Sequence, residues 1–215
     1  LHPLFKVLIS AAIAVGLMVA AFSEGRVVPE DPWRIRPLLN GMPAPAFAAR
    51  APDGTPWTFD PERLDGPVVL TFYRGSWCPY CTRHLLAYRR IEAELMDLGY
   101  RLVFLSPDRP EVLRDGQGDE ALSYELVSDS RMSAAEAFGV AFRLDELTVA
   151  RYREAGVDLT EASGESHGLL PVPSTWIIGD DGVIRYSYVN PDYKTRLAPE
   201  VLLAAARAAA LPPRE

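Results

Sequence analysis

Leu70-Thr71-Phe72-Tyr73-Arg74-Gly75-Ser76-Trp77-Cys78-Pro79-Tyr80-Cys81 is an apolar run that ends in a C-x-x-C. Val68 to Tyr73 is apolar apart from Thr71 and is bounded by Gly66-Pro67 and Gly75, the pattern of a buried central strand. Cys81 to Leu98 then carries Leu85, Leu86, Tyr88, Ile91, Leu95 and Leu98 at helical spacing, and Gly99 ends the helix. A C-x-x-C whose first Cys sits where a strand turns into a helix is the arrangement for reversible dithiol–disulfide chemistry. The chain has 2 cysteines, and this motif holds both.

Thiolate, not thiol, is the nucleophile, and an unperturbed thiol with a pKa of about 8.5 is mostly protonated at neutral pH. At a helix N-terminus the exposed N–H groups and the helix dipole favour an anion, so Cys78 is expected to be the attacking thiol. Pro79 suits the first helical turn, where a missing N–H costs nothing. Cys81, one turn further in, is expected to resolve the mixed disulfide or sulfenic acid. Arg74 adds positive charge near Cys78. Trp77 and Tyr80 bracket the cysteines as substrate-contacting aromatics, whereas Tyr73 reads as core.

Two other readings of the motif are weaker. A structural disulfide would close a very small loop and stabilise little. Zinc needs four ligands as a rule, and only His2, His84 and His167 are available besides the two thiols, so no metal is expected. Thr82 follows Cys81, which excludes haem attachment at a C-x-x-C-H. His84 reads as a surface residue. His167 reads as an exposed loop residue; its alternatives are a base or a third copper ligand beside the cysteines.

Outward from the motif, strands alternate with helices. Phe47-Ala48-Ala49-Arg50 and Pro56-Trp57-Thr58-Phe59 flank a Pro52-Asp53-Gly54 turn, an N-terminal hairpin. Arg101 to Ser106 is a buried strand, Pro110 to Arg114 a short helix and Tyr124 to Val127 a short strand. Asp129 or Ser130 caps a helix over Met132 to Phe138. Thr175 to Ile178 and Val183 to Tyr188 flank the Asp180-Asp181-Gly182 turn, and Pro199 to Ala210 is the closing helix. This pattern is an α/β sandwich on a central mixed sheet, occupying residues 46–212. Residues 141–170 interrupt it with a short helix over 145–155 and a loop rich in Gly and Ser.

Leu4 to Phe22 is apolar except for Lys6 and Ser10, near the ~20 residues of a membrane span. Residues 1–23 therefore read as an N-terminal hydrophobic helix, either an uncleaved anchor or a signal segment cut near Val19-Ala20-Ala21. Either reading puts the domain outside the cytoplasm, on the periplasmic side, membrane-anchored or secreted. Residues 24–45 hold Pro29, Pro32, Pro37, Pro43 and Pro45, a linker or a wrap along the domain surface. The net charge of −7 disfavours nucleic acid as a partner.

Leu170-Pro171-Val172-Pro173-Ser174-Thr175 precedes a strand. Together with the Tyr73 to Cys81 run, Leu126-Val127-Ser128-Asp129, Phe138-Gly139-Val140, Asp181-Gly182-Val183-Ile184 and Asn190-Pro191-Asp192-Tyr193, it resembles the peroxiredoxin-like branch of the alkyl hydroperoxide reductase and thiol-specific antioxidant family. The resemblance runs from about Gly41 to Ala210. It implies a thioredoxin-like fold and thiol-dependent reduction of peroxides or protein disulfides, with Cys78 attacking, Cys81 resolving and an external thiol as electron donor. It implies no cofactor. It also implies a cis-proline loop beside the cysteines, with Pro173 as the proline and the backbone of Val172 offered to substrate. Two positions depart from the pattern. Gly75 stands where typical members have a Thr, and Phe72 stands where thioredoxins have an acid; Glu125, Asp129, Glu165 and His167 are candidate substitutes. A non-catalytic role, as an accessory subunit of a membrane complex, and copper delivery are the alternatives.

Overall fold

The computed structural model describes residues 27–117 and 124–210. The hydrophobic segment expected over residues 4–22 lies outside them. Among the described residues no helix is long and apolar enough to cross a membrane.

Among the described residues nine strands form two sheets. The first strands are β1 (Phe47–Arg50), β2 (Pro56–Phe59), β3 (Val68–Phe72), β4 (Arg101–Ser106) and β5 (Glu125–Ser128). They are followed by β6 (Ala141–Arg143), β7 (Leu169–Pro171), β8 (Ser174–Ile178) and β9 (Ile184–Val189). The main sheet runs β2-β1-β5-β4-β3-β8-β9. β3 lies parallel to β4 and antiparallel to β8, so the sheet is mixed and β3 is central.

The helices are α1 (Pro79–Tyr88), α2 (Glu92–Asp97), α3 (Pro110–Gln117), α4 (Ser133–Ala137), α5 (Glu146–Glu154), α6 (Leu159–Ser163) and α7 (Pro199–Ala209). Successive side chains of β3 alternate between two cores, one on each face of the sheet. Val68, Leu70 and Phe72 enter a core with Phe138, Val140, Leu170 and Trp176. Val69 and Tyr73 enter the other, with Cys78, Cys81, Tyr88, Leu95 and Leu202. Two-sided burial explains why β3 reads as a continuous apolar run instead of an alternating one.

Three expectations need correction. The single helix over 81–98 is two, because the ladder tightens to i→i−3 bonds at Arg90 and Ile91. Gly99 ends the second, at φ +87°. The 141–170 insertion has the expected short helix, α5 between its caps Asp145 and Ala155, but the remainder is not a plain loop. Its ends pair as β6 and β7, and its Gly- and Ser-rich part contains α6, N-capped by Asp158 and ended by Gly164. The helix expected from Met132 begins at Ser133, because Met132 is left-handed at φ 62°.

Residues 27–45 run along the domain. Leu38 N–H donates to Phe138 O, Gly41 N–H to Ile184 O, and Pro43 bridges Val183. Asp129 is buried beyond β5, and its carboxylate accepts the Ala134 and Ala135 N–H groups at 3.0 and 2.9 Å. Asp129→Ala removes this cap and strands two buried donors. It should lower the unfolding free energy by about 2–3 kcal/mol, read from urea denaturation of the variant against the parent.

Candidate active site

β3 delivers the chain to the carboxyl end of the central sheet, and Tyr73 to Trp77 turn it into α1. Cys78 is the N-cap of α1, in extended backbone at φ −91°, with Pro79 as the first helical residue. Its carbonyl accepts the Cys81 and Thr82 N–H groups at 2.9 and 3.1 Å, so the first turn is closed. The two cysteines are not joined in a disulfide, and both are buried, at 2% and 1% exposure. The Cys81 thiol and backbone N–H, with the Arg74 and Arg196 guanidinium charges, outweigh burial and draw the Cys78 pKa down to about 6. Cys81 moves the other way, because its hydrogen bond serves the Cys78 thiolate and because it is buried beside that charge. One thiol is therefore ionised at neutral pH and its neighbour holds the proton.

Arg74 is itself buried, at 3% exposure, inside three aromatic rings. Its guanidinium carbon lies 4.1 Å from the Tyr193 ring centre, 5.3 Å from Trp77 and 5.5 Å from Tyr152. Its Nη2 donates to the Tyr152 hydroxyl, and its Nε has no hydrogen-bond partner. Aromatic faces hold a cation without neutralising it. Arg74 thus keeps its charge for the sulfur.

Gly75 stands at φ +139° under the Trp77 indole. A Cβ there would lie 2.8 Å from indole Cδ1 and closer still to Nε1. The place a Thr would occupy is filled by Trp77. Thr71, the nearest other hydroxyl in the strand, faces the Thr175 hydroxyl at 3.1 Å in the core.

Phe72, at the expected acid position, packs into the opposite core against Phe138. The four candidate acids and bases go elsewhere. Glu125 holds Arg101 and Trp57, Asp129 caps α4, and Glu165 faces Arg131. His167 Nδ1 accepts from Leu169 N–H, so its Nε2 carries the proton and donates to Ser130 O at 2.7 Å. None of the four is hydrogen-bonded or ion-paired to a cysteine. The buried acid on this edge is Asp108, which accepts from Ser76 N–H at 2.7 Å and from the Ser106 hydroxyl at 3.0 Å. Burial raises its pKa.

The expected proline loop is corrected on two counts. There is no cis peptide bond among the described residues, so the Val172–Pro173 bond is trans. Val172 is fully buried and its N–H donates to Val140 O at 2.8 Å. The insertion causes this: the β6–β7 ladder extends through Val172 and takes the N–H an extended substrate would use. His84 is likewise not on the surface. It is buried against Tyr88, with no hydrogen bond to either ring nitrogen. Burial first, and then the Arg196 charge, draw its pKa down to about 4, so it is neutral. Tyr80 is half-buried, with its ring against Tyr193 at 5.7 Å.

A cavity of about 390 Å³ lies under the insertion, and its walls include Trp77, Asp108, Leu144, Val149 and Leu170. Three residues of this region, Asp108, Tyr152 and Arg196, stand in none of the motifs above, and Tyr193 stands there only as part of the family pattern, without a place at the site. Asp108 had a usable signal. It follows β4 at the carboxyl edge of the sheet, where sites of open α/β sheets gather. Tyr152 and Arg196 come from distant connections, and no spacing rule reaches them.

Two measurements test this geometry. The rate of Cys78 alkylation should rise with pH through a midpoint of about 6 and level off above it, because the thiolate reacts. Gly75→Thr restores the hydroxyl of the family pattern but displaces the indole. It should slow Cys78 alkylation and cost about 1–3 kcal/mol of stability, read by an alkylation rate and by thermal melting.

Residues 40–187 match the AhpC/TSA family. The chain is 31% identical to peroxiredoxin Bcp of Escherichia coli over 109 residues, which are 49% of this chain and 67% of that one. It is 24% identical to the chloroplastic peroxiredoxin Q of Oryza sativa over 154 residues, 71% of this chain and 60% of that one. It spans 56–68% of the length of the curated relatives it matches. The crystal structure of peroxidoxin BcpB from Mycobacterium tuberculosis superposes with a TM-score of 0.58 at 23% identity, covering 79% of this chain and 96% of that one. Peroxiredoxin 6 of Arenicola marina superposes at 0.61 with 19% identity, covering 79% and 72%. The fold is therefore the thioredoxin-like one, and with a match over more than half its length the chain belongs to the AhpC/TSA family.

Proposed function

We propose that the domain is a thiol-dependent peroxidase that cycles between a Cys78/Cys81 dithiol and its disulfide. The observation that carries this reading is the placement of the pair: Cys78 caps the N-terminus of α1, its carbonyl takes the Cys81 N–H one turn further in, and both cysteines lie within reach of guanidinium charge, which favours a thiolate at Cys78. Family membership favours peroxide over a protein disulfide as the oxidant. The buried Val172 N–H argues the same way, since it offers no edge for an extended peptide.

In this scheme the Cys78 thiolate attacks one oxygen of ROOH and the O–O bond breaks. Cys78 becomes a sulfenic acid, and the departing alkoxide takes a proton to leave as ROH. Cys81 then loses its proton and attacks the Cys78 sulfur. The S–S bond forms, the S–O bond breaks, and hydroxide leaves as water. Two electrons from an external dithiol restore the pair. Arg74 supplies positive charge at the reacting sulfur. Asp108 holds the Ser76 amide, which fixes the loop that carries Cys78. Export rests on Leu4 to Phe22 alone, and fractionation of cells expressing the chain tests it.

The reduced protein should consume one equivalent of hydrogen peroxide in a burst. Cys78→Ser should abolish the burst, and Cys81→Ser should keep it while losing dithiol-driven turnover. Reduction of insulin disulfides without any peroxide burst would sink the peroxidase reading.

A further inference from the structure

Arg196 lies in the connection between β9 and α7, 115 residues along the chain from Cys81. Its Nη2 donates to the Cys81 sulfur at 3.4 Å. Its Nε is buried and has no partner. Arg196 is half-buried, with Nε enclosed, and a charge withdrawn even partly from water is ordinarily matched by a carboxylate, because desolvating it is costly. No salt bridge joins Arg196 to an acid among the described residues; its side-chain hydrogen bonds go to a sulfur and the Thr195 carbonyl, and the exposed Asp192 carboxylate feels its charge without pairing. The same connection also presses Tyr193 onto Arg74 and Tyr80. This segment is therefore built against the dithiol, as a third wall beside α1 and the Tyr73 to Trp77 turn.

We propose that Arg196 is a catalytic residue, whose guanidinium holds the Cys81 sulfur as a thiolate while it attacks the oxidised Cys78. The inference rests on the dithiol cycle proposed above. In the resting pair the proton sits on Cys81, so this thiol must ionise inside a buried site before it resolves Cys78. The groups that face it are Cys78, the Arg74 amide, Arg196 and Tyr73. His84, one turn further along α1, is kept neutral by burial and by Arg196 itself. Once Cys78 is a sulfenic acid it no longer carries charge, and Cys81 is then the anionic sulfur within reach of the Arg196 guanidinium, whose other anionic neighbour is the exposed Asp192. The step is balanced: Cys81 gives up its proton, S–S forms, S–O breaks, and the released hydroxide is protonated to water. An N–H donor on a charged group makes a stronger bond to a thiolate than to a thiol, which is the differential the step requires.

The test uses the full chain with Cys78→Ser, so that Cys81 is the sole thiol and its ionisation appears as ultraviolet thiolate absorbance. Adding R196Q should move half-ionisation to a proton concentration roughly tenfold lower. R196K should move it in the same direction but less. In the wild-type background R196Q should keep the amplitude of the peroxide burst, slow its rate modestly because one positive charge near Cys78 is lost, and slow disulfide closure more, roughly tenfold at neutral pH. Coincident titrations of the parent and R196Q proteins, both folded by circular dichroism, would overturn the proposal. If R196Q does not fold, R196K carries the test on the same terms. The Cys78→Ser titration needs no peroxide. A missing burst in the wild type therefore removes the peroxidase reading, and coincident titrations remove the role of Arg196.

Discussion

The rest of the site depends on β3 being buried on both faces. Its side chains feed two cores, so the strand has no freedom to slide or twist, and its carboxyl end is a fixed point. Cys78 is carried to that point as a helix N-cap and meets the unsatisfied amides and positive dipole end of α1. A thiol placed there has an electrostatic reason to ionise, and Cys81 within one turn adds a hydrogen bond. Both cysteines are held in the same core as Tyr88 and Leu202, so the chemistry is anchored in packing and not on a loose loop.

Around this point the protein has replaced the usual helpers. Where a Thr hydroxyl would sit, Trp77 lies over Gly75. Arg74 is held by Trp77, Tyr152 and Tyr193, rings that come from the turn, the insertion and the β9–α7 connection. Three separate parts of the chain thus converge on one guanidinium. The 141–170 insertion does two further things. It occupies the Val172 backbone, and it roofs a cavity against Trp77. Access to the thiols is consequently set by aromatic side chains and by an element foreign to the surrounding strand–helix rhythm.

Much of this was legible in the chain. The hairpin over 47–59, the central strand, the strand over 101–106 and the closing helix are local patterns of burial and turn residues, and they stand where the periodicity places them. The Asp129 cap was legible for the same reason, since capping acts over a few residues. The reading failed where a side chain's surroundings come from elsewhere. His84 has helical neighbours typical of an exposed face, yet the β9–α7 connection covers it. Val172 and Pro173 looked like a substrate edge, yet β6 had already claimed that backbone.

The amino-acid sequence by itself determined the strand, the helix start and the dithiol at their junction, because strand burial, helix capping and C-x-x-C spacing are short-range properties. It also carried the family pattern and its two departures. Only the tertiary structure decided which charges reach the sulfurs. Arg74 was visible by proximity along the chain, but its aromatic cage, the buried Asp108 and the Arg196 contact on Cys81 join residues tens to more than a hundred positions apart. Electrostatic influence falls with distance in space and with exposure to water, and neither is written in sequence separation.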